Sequence, residues 1–401
     1  MCLSSVVMSA AVDASSAQSV EEARVDLAFQ SNDPYQILFL IGVGEMQKGN
    51  YPSAVKIFRS LFQSARTRRI QLELARALFL DRQFKEARKL FLEIYEDPEV
   101  PLSVRENIKL YLDEADAALG QLKFSFAIVS DSNPAGFTDA RKITIGGQTL
   151  YLVPPDENET VIGAKYGLDA TKALTDDASV TAYLNTTFTD YQGGDFDRLD
   201  ADGGFVFAPR GLPKFRAKIG MEQALFGGSH LYEYPYATLI FIPKPFNQFR
   251  WRYELEYGHL NVSHVNNLEA DKLTQVLNAK RRFARDNRLA SNVFLEAAET
   301  EEDPYSYVGG GLGGELSVPI NDHWGVKFLG SFSLREFDGV DPLFGSARKD
   351  DSYTVGLSFF SRLIKLFGRE PEVGIRYERR NSNLEFFEFD RVKLVFRLTE
   401  R

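Results

Sequence analysis

The side chains that most often carry catalysis or bind metals are few and scattered in this sequence of 401 residues. Of the four histidines, only His259 and His264 share a predicted loop, where we interpret them as solvated. The acidic run 301–303 stands at a predicted loop tip, and solvation is again favoured over calcium binding. The single cysteine, Cys2, excludes a disulfide within the chain and a zinc site built from cysteines.

A glycine-rich stretch, 309–314, superficially matches a phosphate-binding loop. Such a loop follows a strand and opens a helix, and neither context is predicted here, whereas glycines also permit bends in barrel strands. No serine–histidine–aspartate set and no pair of carboxylates stands out. The sequence therefore predicts no catalytic residues, no metal site and no cofactor, and a protein that is not an enzyme.

The composition is that of a folded, acidic chain rich in aromatic rings and glycines. Hydrophobic residues make up 44% and charged residues 26%, a balance too apolar for a disordered protein, and the formal net charge is −9. The 32 phenylalanines, 17 tyrosines and 30 glycines are typical of strand-rich proteins. No apolar run approaches the roughly 18 residues of a membrane-spanning helix. The acidic balance also argues against nucleic acid as a partner.

Residues 1–20 are small, apolar and poor in charge, and 15–17 have the sequence Ser-Ser-Ala. Small residues of this kind precede the cleavage site of an export signal. We therefore predict that residues 1–20 are the remnant of a signal peptide.

Residues 21–121 show the period of amphipathic helices, and the pattern repeats. Three positions, occupied by an aromatic residue, an alanine and another aromatic residue, recur 33 residues later. They are Tyr51, Ala54 and Phe58, followed by Phe84, Ala87 and Phe91. The period resembles that of the tetratricopeptide repeat, which is about 34 residues.

Such helical repeats usually bind an extended segment of another protein on their concave face. We therefore predict that Tyr51, Phe58, Phe84 and Phe91 contribute to a client-binding surface. The alternative is that these helices only plug or brace the neighbouring domain.

Residues 122–401 change to the period of two that is typical of strands. From 249 to 257, aromatic and aliphatic residues occupy one face and charged residues the other. The charged face of this stretch consists of Arg250, Arg252, Glu254 and Glu256. A further stretch, 214–225, alternates in the same way, and its charged face includes Arg216 and Lys218. A soluble sandwich also alternates, so that alternation alone does not identify the fold.

The number and length of the strands favour a membrane barrel. Fourteen strand-like stretches begin near residues 122, 160, 178, 197, 213, 230, 246, 271, 287, 305, 323, 350, 370 and 387. Most run for about ten residues, which a tilted strand needs to cross a bilayer, whereas strands of soluble proteins average about 5 to 6. We predict a transmembrane antiparallel β-barrel of 14 strands after an all-α repeat domain.

The connections are predicted to alternate in length. Tight turns are expected at 175–177, 209–213, 243–245, 284–287 and 319–322, and longer or more variable loops at 130–159, 191–197, 261–270 and 337–349. This is the plan of an outer-membrane barrel with periplasmic turns and external loops, and an even strand count puts the helical domain in the periplasm. Because a lipid-facing arginine or lysine costs about 2–4 kcal/mol at mid-depth, the charged face is predicted to line a wide, polar lumen.

The layout resembles the surface lipoprotein assembly modifier (Slam) family of Gram-negative bacteria. The similarity covers the chain from about residue 35 onwards. It includes the junction after the first barrel strand, where Asp131, Ser132, Asn133 and Pro134 are similar to an aspartate–serine–asparagine stretch of the family.

The resemblance implies a translocator that moves or displays a client lipoprotein or a secreted haemophore-like protein at the cell surface. It also implies periplasmic repeats that engage the client or its chaperone, insertion by the barrel-assembly machinery, contact with outer-membrane lipid and no catalytic residues. Two alternatives stay open: an exporter of polysaccharide, and a diffusion porin with a helical appendage.

Overall fold

A computed structural model of the chain describes residues 33–145, 147–152, 160–209, 211–263, 268–283, 287–321, 323–366 and 369–399. The predicted signal remnant, His264 and most of the predicted turn 284–287 lie outside the described residues. The chain divides into two compact units, a helical unit that ends at Gly120 and a barrel that begins at Gln121.

The helical unit contains five described helices, joined by short connections. They are α1 (Pro34–Gln47), α2 (Tyr51–Ser64), α3 (Arg68–Leu80), α4 (Phe84–Tyr95) and α5 (Leu102–Leu119). Each helix packs against the next one along the chain. None of the described helices is long and apolar enough to cross a membrane.

The predicted 33-residue repeat is confirmed in the backbone. The α1–α2 turn has Gly49 at φ +80, and the α3–α4 turn has Arg82 at φ +62, one repeat later. The amide of Gly49 bonds the carbonyl of Met46 and that of Arg82 bonds the carbonyl of Phe79, again one repeat later. The sequence repeat therefore encodes a repeated helix end in the left-handed conformation, although Arg82 lacks the freedom of glycine.

The repeated aromatic and alanine positions form the core of this unit. Ala54, Phe58, Ala87 and Phe91 are all fully buried. Gly42 of α1 faces the Phe58 ring, and a Cβ at this position would lie 2.8 Å from the Cζ atom of that ring. The small residue therefore allows α1 and α2 to approach closely.

The second unit is a closed barrel of 14 antiparallel strands, as predicted. The strands are β1 (Gly120–Asp131), β4 (Val161–Ala173), β5 (Val180–Tyr191), β6 (Arg198–Phe207), β7 (Phe215–Phe226), β8 (Ser229–Phe241), β9 (Arg250–Val262), β10 (Ala270–Phe283), β11 (Asn287–Thr300), β12 (Tyr307–Pro319), β13 (Trp324–Val340), β14 (Ala347–Ser361), β15 (Glu370–Ser382) and β16 (Phe389–Thr399). A separate hairpin, β2 (Lys142–Ile145) and β3 (Gln148–Tyr151), lies in the β1–β4 connection.

The barrel closes by pairing its first strand with its last. Phe126–Asp131 of β1 pair with Leu398–Lys393 of β16. We call the end where β1 begins the near end, and the end with the β1–β4 connection the far end. Every predicted strand is present, and the largest shift is in β9, which starts at Arg250 because Phe246 and Phe249 first form a tight turn.

The predicted alternation of short turns and long loops is wrong. Apart from 132–160, the far-end connections have two to seven residues and the near-end connections three to eight. The predicted loop 337–349 is shorter because β13 runs to Val340 and β14 starts at Ala347. The β7–β8 connection at the far end is only Gly227-Gly228, both with positive φ, which allows a two-residue hairpin.

The outward face of the barrel is a continuous apolar band. On this face, Leu239, Leu295 and Leu312 each expose 58–62% of their surface. Charged residues on this face, such as Asp190, lie near strand ends. Aromatic side chains flank the band at the near end (Phe124, Phe207, Phe215, Phe241, Trp251, Trp324, Phe359) and towards the far end (Phe188, Tyr257, Tyr377). An apolar band between aromatic girdles is the exterior of an outer-membrane barrel.

Candidate functional site in the barrel lumen

Contacts between strands that are not neighbours identify the inward face. The hydroxyls of Tyr183 on β5 and Tyr236 on β8 lie 2.8 Å apart, although β6 and β7 separate these strands. Arg335 on β13 bonds Glu296 on β11 at 2.7 Å. Such contacts form only on the concave side of a closed sheet. Because directly paired residues of antiparallel strands share a face, the register then assigns every other strand position to the lumen.

The structure places all six charged residues predicted to line the lumen on this inward face. Lys218 bonds Asp202 of β6 at 3.1 Å. Arg252 bonds Glu254 at 3.0 Å, and the register puts Arg250, Glu254 and Glu256 on the same side. Arg216 precedes Lys218 by two positions and shares its face. That these charges keep a transport path hydrated stays a prediction.

A tyrosine–lysine cluster covers one part of the lumen wall. The Lys218 ammonium lies 4.5 Å from the centroid of the Tyr183 ring and 4.7 Å from that of Tyr236. The Tyr236 hydroxyl donates to Asp202 at 2.6 Å. The ring of Tyr234 stacks on that of Tyr236 and has the Lys272 ammonium 5.5 Å from its centroid. Each cation is therefore held by an aromatic face and, for Lys218, also by a carboxylate.

The opposite wall is held by ion pairs. The buried carboxylate of Glu372 on β15 accepts from Lys327 of β13 at 2.6 Å and from Arg397 of β16, so that it ties three strands together. Further inward pairs on this wall are Arg348–Asp350, Arg391–Glu378 and Lys393–Asp131. The inward pair Arg198–Asp200 lies on β6, on the side of the tyrosine–lysine cluster. Sequence alternation identifies the charged face but not the cross-strand partners of Glu372, Glu378 and Asp131, because those partners are remote in the sequence.

The junction motif forms a clasp between the first and last strands, which the sequence did not predict. Ser132 donates its amide to the Val392 carbonyl at 3.1 Å and accepts from the Val392 amide at 2.9 Å. The Asn133 amide group donates to the carbonyls of Phe137, at 2.8 Å, and Asp390, at 3.3 Å. We define Ser132, Asn133 and their β16 partners as the seam clasp, at the far end of the β1–β16 pairing.

Asp131 completes this junction from the lumen side. Its carboxylate, 1% exposed, accepts from the Asn133 amide at 3.0 Å and from Lys393 at 3.0 Å. Outside the strands, Asp139 extends the same contact by donating its amide to the Glu388 carbonyl at 2.9 Å. Burial and the nearby negative charge of Asp390 raise the pKa of the Asp139 carboxyl.

The predicted client-binding residues require a correction. Phe58 and Phe91 are fully buried in the helical core, because the close approach of successive helices leaves no surface for them. They cannot contact a client in this fold. Tyr51 and Phe84 begin α2 and α4, are half-buried, and stay predicted contacts.

The helical unit exposes an apolar surface that the sequence did not predict. On α1, Tyr35, Leu38 and Ile41 expose 50%, 41% and 44% of their surface. Their spacing of three residues was the available signal, but it matches a core face equally well. Within the described part of the helical unit, Leu110 of α5 is the most exposed of the large hydrophobic residues, at 68%.

No protein-family model matches the sequence, and no curated protein is detectably similar to it. Among solved structures, the chain is similar to OccAB3 of Acinetobacter baumannii, with a TM-score of 0.40 and 8% identity over 69% of this chain and 98% of that chain. A BenF-like porin from Pseudomonas fluorescens Pf-5 gives a TM-score of 0.38 and 10% identity over 69% and 97%. A loop L8 deletion mutant of OmpT from Vibrio cholerae gives a TM-score of 0.35 and 9% identity over 70% of this chain and 99% of that chain. At these low scores the similarities carry no argument about function.

Proposed function

We propose that the chain is an outer-membrane translocator that moves or displays a client lipoprotein or a secreted haemophore-like protein at the cell surface. The observation that carries this proposal is the presence, in one chain, of a charged barrel lumen and a helical-repeat unit. A lumen lined by paired charges retains water, and a chain in transit through it keeps its own polar groups solvated.

The barrel size also supports a conduit. Fourteen strands enclose an interior too wide to be filled by the wall's own side chains, unlike a barrel of eight strands. Neither ATP nor a proton gradient is available at an outer membrane. Directionality therefore comes from binding of the client on one side, or from its folding on the other.

In this proposal the helical unit lies in the periplasm and engages the client or its chaperone. Its 33-residue repeat is close to the tetratricopeptide period, and such repeats bind extended segments. The half-buried Tyr51 and Phe84, together with the exposed Leu38 and Ile41, supply the apolar contacts.

Deletion of the gene in the Gram-negative bacterium that carries it tests this function. We expect at least one surface lipoprotein or secreted protein to disappear from the cell surface and to accumulate in the periplasm, as measured by surface proteolysis and mass spectrometry. Complementation with the full chain restores the client to the cell surface. The double variant Leu38→Glu/Ile41→Glu restores the barrel in the outer membrane but does not restore the client to the surface. An unchanged surface proteome contradicts the proposal.

A diffusion porin is the second candidate, favoured by the same charged lumen. A porin gives a steady conductance in a planar bilayer that does not depend on the helical unit, and its deletion leaves surface proteins in place. An exporter of polysaccharide is less well supported, because a lysine ammonium already lies against the rings of Tyr183, Tyr236 and Tyr234, on which a sugar could otherwise stack.

A further inference from the structure

The lumen contains a recess with an excess of positive charge. A cavity of about 730 Å³ follows the inward face of β1, with β15 and β16 on one side and β4, β5 and β6 on the other. Eight lysine or arginine residues and three aspartates line it, although the whole chain carries a net charge of −9. The positive charge is therefore concentrated on one part of the wall.

Ion pairs neutralise only part of this charge. Lys393 and Arg198 pair with acids of the recess, and two further arginines pair with glutamates of β15. Within the part of the chain that the structure describes, Lys165 of β4 and Arg376 of β15 form no ion pair, and both are exposed to the lumen. Neither of these two cations therefore has a carboxylate of the described residues within ion-pairing distance.

Arg376 lies beside another cation. The register pairs it directly with Lys393 on β16, which in turn pairs with Asp131 on β1. Like charges at directly opposite positions repel. Asp131 does not neutralise Arg376. Its carboxylate already accepts from Lys393, from the backbone amide of Asn133 and from the Tyr191 hydroxyl.

Lys165 experiences the same positive surroundings from the other side of the recess. Four charged side chains that line the same recess act on its ammonium, and three of them are cationic: Lys393, Arg376 and Arg198. The fourth, Asp200, is bonded by Arg198 through two hydrogen bonds to one oxygen and one to the other. A multiply charged anion between Lys165 and Arg376 would supply the missing counter-charge.

We propose that Lys165, Arg376 and Lys393 form a lumenal binding site for a soluble polyanion that carries phosphate or carboxylate groups. The guanidinium presents a planar fork that matches such groups, and the two ammonium groups contribute point charges. The site is defined by the barrel alone and does not depend on the proposed translocation.

Isothermal titration of the full chain in detergent micelles at low salt tests the site, with inorganic pyrophosphate and citrate as separate probes. We expect saturable binding of at least one probe by the unaltered protein. Lys165→Gln and Arg376→Gln should each weaken it about tenfold or more, because each removes a charge-assisted hydrogen bond. Binding of pyrophosphate alone identifies a phosphate site, and binding of citrate alone a carboxylate site.

Lys272→Gln is the matched control, since it removes a lumenal cation on β10 that faces Tyr234 outside the recess. We expect it to bind the probe as the unaltered protein does, and all variants to keep the heat-modifiable migration of a folded barrel. The proposal is overturned if neither probe binds, if the double variant Lys165→Gln/Arg376→Gln binds as tightly as the unaltered protein, or if Lys272→Gln weakens binding equally.

Discussion

Single side chains hold the two most distant parts of the barrel sequence together. Asn133 and Asp390 are 257 positions apart in the chain, and the Asn133 side chain is 5% exposed. Its amide donates to two carbonyls and accepts from the Phe137 amide at 2.8 Å. This asparagine belongs to the junction motif that is similar to the Slam family, and its contacts show that the motif joins the first barrel strand to the last.

Replacement of Asn133 by alanine should loosen the seam clasp. Loss of buried hydrogen bonds costs about 1–3 kcal/mol, so we expect the barrel to unfold at a lower temperature. The temperature at which the band shifts in unheated electrophoresis measures this. Asn261→Ala, at the far end of β9, removes an amide with no such contacts to β16 and should leave that temperature unchanged. Equal shifts for both variants would argue against the clasp.

Asp97 provides a pH-dependent contact in the helical unit. It accepts from the Glu99 amide at 3.0 Å and from Arg68 at 2.8 Å, and these bonds, the backbone bond first, hold its pKa below the usual range. Since the folded pKa is lowered, the stabilisation is complete above the ordinary aspartate pKa of about 3.9 and is lost as the pH falls through the folded value.

We therefore expect Asp97→Asn to lower the melting temperature of the helical unit at pH 6 and to have little effect near pH 2. Circular dichroism at 222 nm, where helices dominate, measures both. A loss of equal size at the two pH values would mean that the carboxylate charge does not act as described.

At the scale of elements, two glycines of α1 provide a test of how the repeat packs. A Cβ on Gly42 would lie 2.8 Å from the Phe58 ring, whereas a Cβ on Gly44, in the same helix, meets nothing within 4 Å. Gly44→Ala should stabilise the unit by about 0.5–1 kcal/mol through helix propensity. Gly42→Ala should destabilise it by about 1–3 kcal/mol through overpacking. Thermal melts at 222 nm compare the two, and changes of the same sign would refute this packing.

The elements themselves follow closely from sequence periodicity. Fourteen strands and the helical repeat are predictable because each has a local period. The same local alternation predicts that the adjacent residues Trp251 and Arg252 point to opposite faces of β9. Three features were not predictable, since each depends on residues remote in sequence. They are the burial of Phe58 and Phe91 by neighbouring helices, the cross-strand partners of the lumenal charges, and the lengths of strands that continue into predicted loops.

At the scale of the whole molecule, the apolar exterior of the barrel requires contact with lipid, and the charged lumen requires water. Adjacent residues at the middle of β10 separate these environments. Leu277 points outwards and is 42% exposed, and Val276 points inwards opposite Glu254.

Leu277→Arg should cost about 2–4 kcal/mol because the charge enters hydrocarbon, whereas Val276→Arg gains an acidic neighbour and should cost far less. Urea unfolding in lipid vesicles compares the two variants. A similar cost for both would mean that the two faces do not differ in environment.

The most direct test of this two-sided barrel uses the neighbouring residues Lys165 and Tyr166 of β4. In a Cys2→Ser background, Lys165→Cys or Tyr166→Cys carries an environment-sensitive fluorophore, and the chain is folded into vesicles that contain brominated lipid or an aqueous iodide quencher. We expect brominated lipid to quench the label at 166 and iodide to quench the label at 165. Quenching of both labels by iodide, and of neither by brominated lipid, would contradict a two-sided barrel.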